Sequence, residues 1–366
     1  MARDRVVFLV DLDYFYAQCE ERRDPSLVGK PVVVCIYSGR TKHSGAVSTA
    51  NYVARELGVG SGMPIYLAKR RLEGKSAVFL AADIAFYKEV SNKVMGILRE
   101  YADVFEQVGI DEAFLDVTRR VKGDYRVALK LAQHVKDEVK TKEAISSSIG
   151  IAPNKLVAKI AAEVNKPNGM TIVKPNQVEL FLFPLPVSRL VGVGQKTRER
   201  LAAVGVETIG DLAKVDVQRL VALFGKKRGA YFHDASKGID NTPVKERGEI
   251  ESLSRISTLK KDSLDVDELA TVTDRQCEEI LEGLTQRGLD FRSIGIMVIT
   301  SDLAIHSRSM TFEHPTRDLK LLKRGIRELL KKYVEEASLP ARRVGVKVFN
   351  FSKEGIPQSQ LTDFLG

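Results

Sequence analysis

The stretch Gly109-Ile110-Asp111-Glu112-Ala113 places two carboxylates side by side between two apolar, strand-like runs, residues 104–108 and 114–118. Like charges a few ångströms apart repel each other, so this pair is costly unless a cation lies against it. Mg²⁺ is the expected cation, because it prefers carboxylate oxygens together with the phosphate oxygens of a substrate. The stretch therefore predicts a magnesium site at the end of a β-strand.

A third carboxylate ends the first apolar run of the chain. Residues 5–11 are predicted to form a buried strand that finishes at Asp11. Taken alone, Asp11 is equally well explained as the cap of a helix predicted over residues 16–22. If residues 16–82 are set aside as an insertion, the remaining order is strand, helix, strand, strand, helix, strand, which is the ferredoxin-like pattern. That topology brings Asp11 to the same sheet edge as the carboxylate pair, with an accidental acidic edge as the alternative.

Other side chains have the chemistry to bind phosphate. Tyr52 and Arg55 are three residues apart on a predicted helix, so they share a face. An arginine can donate two N–H groups to phosphate oxygens. Lys166 stands in a turn fixed by Pro167 and Gly169. An ordinary surface pair and a solvated lysine are the respective alternatives. Further strands are predicted over residues 32–36 and 146–151, and further helices over 51–57, 83–102, 123–142 and 154–164.

Residues 187–212 are predicted to form a helix-hairpin-helix. Gly192 and Gly194 make a turn in which backbone N–H groups and a helix N-terminus can approach a phosphate, and Lys196 adds positive charge. Such a motif binds a duplex without reading its sequence. Lys226-Lys227-Arg228 is predicted to lie in a second basic turn. A plain turn between helices is the alternative for each.

The C-terminal part is predicted to be a small α+β domain after a polar linker, residues 239–248. An acidic helix is predicted over residues 262–287, and basic strand residues are expected on the opposite face, where they could follow a phosphate backbone. These basic residues are Arg255, Lys260, Arg308, Arg342, Arg343 and Lys347. The remaining elements are strands over residues 251–259, 294–300, 306–312 and 342–349 and a helix over 320–335. The tail, residues 350–366, is expected either to enter a partner's groove or to pack on its own domain.

Composition limits the class of protein. The 366 residues are enough for two to four domains, and the net charge of +9 suits a polyanionic partner. Residues 173–238 carry 11 basic against 6 acidic side chains. The three cysteines fit no disulfide or CxxC pattern, and no apolar run approaches the roughly 20 residues of a membrane span. A protein of the compartment in which it is made, with no membrane association, is therefore expected.

With these residues assembled, the chain resembles the Y-family translesion DNA polymerases, most closely the archaeal members of the DNA polymerase IV branch. The resemblance covers essentially the whole chain. It rests on the following stretches: Val10-Asp11-Leu12-Asp13-Tyr14-Phe15-Tyr16, Gly29-Lys30-Pro31-Val32-Val33-Val34, Ser44-Gly45-Ala46-Val47-Ser48-Thr49-Ala50-Asn51-Tyr52-Val53-Ala54-Arg55, Ile110-Asp111-Glu112-Ala113-Phe114-Leu115-Asp116 and Lys166-Pro167-Asn168-Gly169.

The resemblance implies a multidomain α+β fold. The expected parts are a ferredoxin-like palm (residues 1–14 and 80–170), small fingers (15–79), a helical thumb with the helix-hairpin-helix (171–238), a linker (239–248), an α+β little finger (249–349) and a tail with a sliding-clamp-binding box (350–366). Within that tail, the box would use Gln358, Leu361, Phe364 and Leu365.

The resemblance also implies roles for the site residues. Asp11, Asp111 and Glu112 would be catalytic and hold two Mg²⁺ ions, which Mn²⁺ can replace, with the Leu12 carbonyl as a further ligand. Tyr16 would be the steric gate against a ribose 2′-hydroxyl. The triphosphate would be held by Tyr14, Phe15, Tyr16, Thr49, Tyr52, Arg55 and Lys166. Duplex DNA would contact Gly192, Gly194, Lys196, Arg255, Arg308, Arg342 and Arg343.

The expected function is low-fidelity, template-directed translesion synthesis. A cytoplasmic monomer would add dNMPs to a primer 3′ end and release pyrophosphate, without a proofreading exonuclease, using primer–template DNA, a dNTP and a sliding clamp as partners. Departures from the family pattern include Gly109, where many relatives have Ser, and Phe364-Leu365, which replaces a double aromatic. A nucleotidyl cyclase and a non-catalytic DNA-binding repair factor are the alternative classes.

Overall fold

A computed structural model describes residues 5–246, 248 and 250–353 of the chain. The chain divides into two compact units. The first comprises Met1–Cys35, Val47–Met63 and Ala68–Arg247, and the second comprises Ile36–Ala46, Pro64–Leu67 and Gly248–Gly366. Among the described residues, no helix is both long and apolar enough to cross a membrane.

The strands in the described residues before 247 include the two that the sequence predicts on either side of the carboxylate pair. They are β1 (Val7–Leu12), β2 (Val32–Tyr37), β3 (Gly45–Ala50), β4 (Val78–Ala81), β5 (Val104–Gln107), β6 (Glu112–Asp116), β7 (Ser147–Ala152) and β8 (Met170–Ile172). The helices of the same part are α1 (Phe15–Arg23), α2 (Tyr52–Glu56), α3 (Ile65–Arg71), α4 (Ile84–Glu100), α5 (Tyr125–Glu143), α6 (Lys155–Val164), α7 (Val178–Leu182), α8 (Gln195–Ala202), α9 (Ile209–Ala213), α10 (Val217–Phe224) and α11 (Lys226–Ser236).

The central sheet has the strand order β5-β6-β1-β7-β8. β1 is antiparallel to both β6 and β7, and β5 is antiparallel to β6. Without the edge strand β8, which runs parallel to β7, this is the ferredoxin-like arrangement. The predicted fold class is therefore confirmed.

β1 is buried on both faces, which explains its near-continuous apolar sequence. Phe8 and Val10 belong to a core shared with α4 and α5, whereas Val7 and Leu9 belong to a second core with α6. Successive strand residues point to opposite faces, so one strand serves both cores. α6 lies very close to β7, since a Cβ added at Gly150 would be 2.0 Å from the Ala158 carbonyl oxygen.

The insertion between β1 and α4 holds more structure than the sequence predicts. A second sheet has the order β3-β2-β4, with β2 and β4 parallel. β3, β4 and α3 were not predicted from the sequence, because all three are short and have no clear periodicity.

The helical region differs from its prediction at two places. Val187–Arg189, predicted as a helix, is only a 3₁₀ turn. Lys226-Lys227-Arg228 does not lie in a turn: these residues form the first turn of α11, and Gly225 is its N-cap with φ +80°. Glycine accepts that backbone conformation without strain, so the helix can begin directly after α10.

The second unit contains an antiparallel sheet with the order β11-β10-β12-β9. Its strands are β9 (Ser252–Ser263), β10 (Leu289–Thr300), β11 (Ile305–Thr316) and β12 (Ala341–Lys353), and its helices are α12 (Val266–Thr285) and α13 (Leu319–Glu336). Both helices share one core with the sheet. β12 continues to Lys353, so residues 350–353 are part of the sheet and not of the predicted tail. The predicted clamp-binding residues Gln358, Leu361, Phe364 and Leu365 lie outside the described residues.

Candidate active site

Two carboxylates meet at one edge of the central sheet. Asp11 in β1 stands opposite Glu112, the first residue of β6. The Leu12 N–H donates to the Asp111 carbonyl at 2.9 Å, which ties the end of β1 to the turn before β6. Asp11 is only 5% exposed. A buried carboxylate of this kind requires a nearby positive charge.

A third carboxylate in this cluster comes from α6. Oxygen atoms of Asp11, Glu112 and Glu163 all lie within 4.8 Å of one another, whereas Asp111 is not in this group. The Asp111 carboxylate instead lies near its own turn, since a Cβ added at Gly109 would be 3.1 Å from its Oδ1. Glu163 was not identified from the sequence. The spacing of three residues between Glu163 and Lys166, at the end of a predicted helix, could have indicated an ion pair between them.

Two lysines form ion pairs with the three carboxylates of this cluster. Lys166 Nζ is 2.7 Å from Asp11 Oδ2 and 2.6 Å from Glu163 Oε1. Lys159, on α6, donates to both oxygens of Glu112, at 2.8 Å and 2.9 Å. Asp11 and Glu112 are thus each paired with one ammonium group.

The ionisation of the carboxylates reflects burial and these pairs. Burial raises the pKa of Asp11 to about 8, although Lys166 acts in the opposite direction. Burial also raises the pKa of Asp111, and the neighbouring Glu112 charge adds to the effect. Burial acts to raise the pKa of Glu112 too, but the hydrogen bonds and charge of Lys159 outweigh it and leave that pKa lowered. The site therefore favours an added positive charge close to Asp11 and Asp111.

The residues present fit a hard divalent cation. The cluster consists of carboxylate oxygens, and among the described residues its members offer no thiolate or imidazole. Oxygen donors of this kind suit Mg²⁺ and Mn²⁺. In the absence of such a cation, the ammonium groups of Lys159 and Lys166 provide positive charge next to Glu112 and Asp11.

The turn that carries Lys166 is held by buried polar groups. Asp13, which is 1% exposed, accepts the Asn168 N–H at 2.8 Å and the Ser148 hydroxyl at 2.7 Å. Lys136 Nζ donates to the carbonyls of Asn168 and Gly169. The backbone around Lys166 is therefore fixed from both sides. Neither Asp13 nor Lys136 was identified from the sequence, because their role depends on contacts over more than 30 residues.

Tyr16 packs against a fully buried tyrosine. Its ring stacks on that of Tyr87 with centroids 4.4 Å apart and 19° between the ring planes. The Tyr87 hydroxyl donates to Glu20 at 2.6 Å. Phe15, by contrast, is 2% exposed and belongs to the core, so its side chain has no free surface for a nucleotide. Tyr16 is half-buried and held in one orientation.

Tyr52 and Arg55 lie side by side on α2, as their spacing predicts. The Arg55 guanidinium lies over the Tyr52 ring at 4.9 Å, and its Nε donates to the Ala50 carbonyl at 2.8 Å. The ring of Tyr14 meets that of Tyr52 edge to face at 5.4 Å. Burial and the Asp13 charge raise the pKa of Tyr52, whereas Arg55 and Lys166 act to lower it. Thr49, in β3, is partly exposed.

The helix-hairpin-helix turn is braced by the second basic segment. Gly192 has φ +86°, and Gly194 is the N-cap of α8. Arg228 in α11 donates to the Gly192 carbonyl at 3.3 Å and to the Thr197 hydroxyl at 3.1 Å. Lys196 is exposed.

Two of the basic strand residues of the second unit are already paired. Arg255 Nε is 3.2 Å from Glu279 on α12, and Arg308 forms an ion pair with Glu336 at the end of α13. Arg342 and Arg343 are half-buried in β12.

Comparison with known proteins bears directly on this site. Residues 10–163 match the impB/mucB/samB family, residues 250–361 match that family's C-terminal domain, and residues 188–240 match the thumb domain of DNA polymerase-iota. A relative named DNA polymerase IV from Nitrosopumilus maritimus is 46% identical over 361 residues, which cover 98% of this chain and 99% of the relative. The chain belongs to the Y family of DNA polymerases.

Solved Y-family structures share its fold. A Dbh-containing Y-family DNA polymerase chimera has a TM-score of 0.89 and 35% identity, covering 95% of this chain and all of the other. The insertion ternary complex of Dbh DNA polymerase has a TM-score of 0.70 and 34% identity, with the same coverage. A DNA polymerase IV from Saccharolobus solfataricus is 38% identical and covers 94% of this chain and 96% of the relative. As a Y-family member, the chain is a DNA-directed DNA polymerase of the translesion class, and it depends on divalent metal ions.

Proposed function

We propose that Asp11, Asp111 and Glu112 hold the two cations of the polymerase reaction, with the Leu12 carbonyl as a further ligand, and that Mg²⁺ is the usual cation and Mn²⁺ a substitute. The observation that carries this proposal is the pairing of Asp11 with Glu112 across β1 and β6. When bound, the two cations activate the primer 3′-hydroxyl and neutralise charge on the α-phosphate and the leaving pyrophosphate. Asp111 would supply its carboxylate from the turn that precedes β6 and is tied to the end of β1.

Lys159 and a small cavity support a role for Glu112 at the primer end. Lys159 lines a cavity of about 250 Å³ together with Phe114, Val191 and Tyr231. The same lysine holds both oxygens of Glu112, which keeps that carboxylate ionised and oriented beside the cavity. The primer end is therefore proposed to lie on the Lys159 side of Glu112.

The triphosphate of a dNTP is assigned to the Lys166 side of the cluster, because Tyr52 is close to both Arg55 and Lys166. Lys166, Tyr52 and Arg55 offer an ammonium group, a hydroxyl and a guanidinium group to phosphate oxygens, and Thr49 offers a second hydroxyl. Arg55 is preoriented by its contacts with the Tyr52 ring and the Ala50 carbonyl. Tyr14 and Phe15 contribute through their backbone.

Tyr16 is proposed as the gate that excludes ribonucleotides. Its ring is fixed by the stacked Tyr87 ring, so it cannot easily move aside for a 2′-hydroxyl. The small side chains of Ala46 and Ser48 leave room around the nascent base pair, which fits low-fidelity synthesis past damaged templates.

Primer–template DNA is the proposed macromolecular partner, and the similarity to the insertion ternary complex of Dbh DNA polymerase supports this proposal. Gly192, Gly194 and Lys196 would bind the duplex backbone without reading sequence. Arg342 and Arg343 would add phosphate contacts from the second unit, and Arg255 and Arg308 would do so after release from Glu279 and Glu336.

Palm, fingers, thumb and little finger are proposed with the boundaries given above, and the tail is proposed to bind a sliding clamp. The enzyme is proposed to act as a cytoplasmic monomer without a proofreading site.

The experiment that tests this function is extension of a labelled primer on a defined template with dNTPs and Mg²⁺. Template-directed addition of single nucleotides, abolished by EDTA, is the expected result. A nucleotidyl cyclase would instead convert a nucleoside triphosphate to a cyclic product without a primer. A non-catalytic repair factor would bind the duplex and extend nothing. An abasic template tests translesion synthesis, and a strict stop at the lesion would contradict it.

A further inference from the structure

The ammonium group of Lys166 bridges two carboxylates. Nζ lies 2.7 Å from Asp11 Oδ2 and 2.6 Å from Glu163 Oε1. The side chains of Asp11 and Lys166 are 7% and 19% exposed, so water screens their attraction only weakly. When Asp11 is ionised and no metal ion is bound, Lys166 therefore supplies the positive charge that this buried carboxylate requires.

A divalent cation and Lys166 compete for the same carboxylate. Two positive groups cannot both lie against Asp11 Oδ2 at contact distance, because they repel each other. A cation that binds Asp11 must therefore displace the ammonium group. Lys166 is still mostly buried at that point, and a buried charge without a partner is strongly destabilising.

Glu163 is placed to receive the displaced ammonium group. It lies three residues before Lys166, in the last turn of α6, and its side chain is 38% exposed. The backbone of the turn is held by Asp13 and Lys136 through Asn168. Only the Lys166 side chain is left free to move, and the Glu163 contact limits how far it goes.

We propose that Glu163 is a positioning residue for Lys166: it retains the ammonium group when a divalent cation takes Asp11, and so favours entry of the cation and keeps Lys166 within reach of the triphosphate. This inference rests on the roles proposed above for Asp11 and Lys166. Under this proposal, metal binding and nucleotide binding each favour the other. Both events move the Lys166 side chain away from Asp11, since the cation displaces it and the triphosphate attracts it.

A direct metal ligand is the alternative role for Glu163, since its oxygen lies within 4.8 Å of oxygens of Asp11 and Glu112. The two roles predict different behaviour when Lys166 is removed. A positioning residue loses its effect when the side chain that it positions is absent. A ligand keeps its effect.

The test is Mn²⁺ binding to the full chain without DNA or nucleotide, followed through the electron paramagnetic resonance signal of free Mn²⁺. Glu163→Gln, Lys166→Met and the double variant are compared with the unsubstituted chain. We expect Glu163→Gln to weaken binding about tenfold and Lys166→Met to strengthen it about tenfold. Adding Glu163→Gln to Lys166→Met should change the affinity by less than about threefold.

Glu89→Gln is the matched control, because Glu89 also pairs with a lysine on a helix, Lys93 at 2.8 Å, but is exposed on α4. It should leave Mn²⁺ affinity unchanged. Equal weakening by Glu163→Gln with and without Lys166 would overturn the proposal and identify Glu163 as a ligand. No weakening in the presence of Lys166 would also overturn it.

Nucleotide kinetics supply a second measurement. Glu163→Gln should raise KM for the dNTP about fivefold and change kcat by less than about twofold, because it loosens Lys166 without removing a catalytic group. A fall in kcat at unchanged KM would contradict the proposal. Primer extension by the unsubstituted chain is measured alongside. If that chain extends primers but the effects of Glu163→Gln and Lys166→Met on Mn²⁺ affinity simply add in the double variant, the inference fails while the proposed function stands. If the unsubstituted chain extends no primer, the proposed function fails.

Discussion

Asp11 and Glu112 face each other across the antiparallel pairing of β1 and β6. One comes from the first strand of the chain and the other from a hairpin about 100 residues later, so the fold itself creates the acidic edge. A lysine is paired with each of them, Lys166 with Asp11 and Lys159 with Glu112. The protein thus supplies one ammonium partner for each of these two carboxylates, whereas Asp111 and Glu163 leave the site with an excess of negative charge.

The stability of the metal-free protein should depend on pH through Asp11. Burial raises the pKa of Asp11 from 3.8 to about 8 in the folded state. Between these values the folded state holds a proton that the unfolded state has released, so this group makes the free energy of unfolding fall as pH rises from about 4 to 8. Thermal unfolding in EDTA from pH 5 to 8.5 measures this contribution.

Divalent metal should restore that stability mainly at the alkaline end. A cation binds the ionised carboxylate and releases the proton, and it binds only the folded state. We expect about 10 mM Mg²⁺ to raise Tm more at pH 8 than at pH 5.5. An equal rise at both values would contradict a metal site at Asp11, and Asp11→Asn should abolish the difference.

Gly150 should be essential for the packing of α6 on the sheet. A Cβ there would lie 2.0 Å from the Ala158 carbonyl oxygen and 2.5 Å from the Ala162 nitrogen, both backbone atoms. We expect Gly150→Ala to lower the free energy of unfolding by about 3 kcal/mol or more, measured by urea denaturation. Gly96 in α4 is the control, because it is exposed and a Cβ there meets nothing within 4 Å. Gly96→Ala should stabilise the protein by up to about 1 kcal/mol.

Sugar discrimination should depend on Tyr16 and on the ring behind it. Tyr16→Ala should allow ribonucleotide insertion at rates close to those of dNTPs, measured by single-nucleotide incorporation. Tyr87→Leu should relax discrimination in part, since the stacked ring that holds Tyr16 is lost. Tyr87→Phe is the control: it keeps the ring, removes only the hydroxyl that contacts Glu20, and should leave discrimination unchanged. Unaltered discrimination in Tyr16→Ala would contradict the gate.

Gly192 should matter for duplex binding more than for folding. Its φ of +86° is unfavourable for any residue with a Cβ, so Gly192→Ala should shift the turn and weaken binding of a primer–template about fivefold or more, independently of sequence. Gly74 is the control, because it has φ +72° with open space around it and lies outside the helix-hairpin-helix. Gly74→Ala should cost similar stability, about 1 kcal/mol, and leave DNA affinity unchanged. Equal effects on binding would contradict the assignment.

The fold was predictable where periodicity and topology agree. β1, α4 and α5 carry long apolar patterns, and the order of the strands was enough to bring Asp11 to Glu112. β3, β4 and α3 were missed because short elements give too few residues for a period. Lys226-Lys227-Arg228 was wrongly predicted as a turn, since the flanking glycines suggest a loop although Gly225 serves as a helix cap.

The site was predictable for residues that belong to a local motif and not for those that act through tertiary contacts. Tyr52 and Arg55 share a helix face by spacing alone. The roles of Lys159, Glu163 and Asp13 depend on which backbone or carboxylate each one meets in the folded chain. The pairing of Arg255 and Arg308 with helix carboxylates was equally invisible in the sequence, because it depends on how α12 and α13 pack on their sheet.

The most direct test of the catalytic assignment is single-turnover incorporation of one dNTP by Asp111→Asn, with primer–template affinity measured on the same preparation. The substitution keeps the shape of the side chain and removes only its charge. We predict that the rate falls by at least about 10³-fold while the dissociation constant for DNA stays within about threefold. Incorporation near the unsubstituted rate would contradict the assignment of this acidic edge as the catalytic metal site.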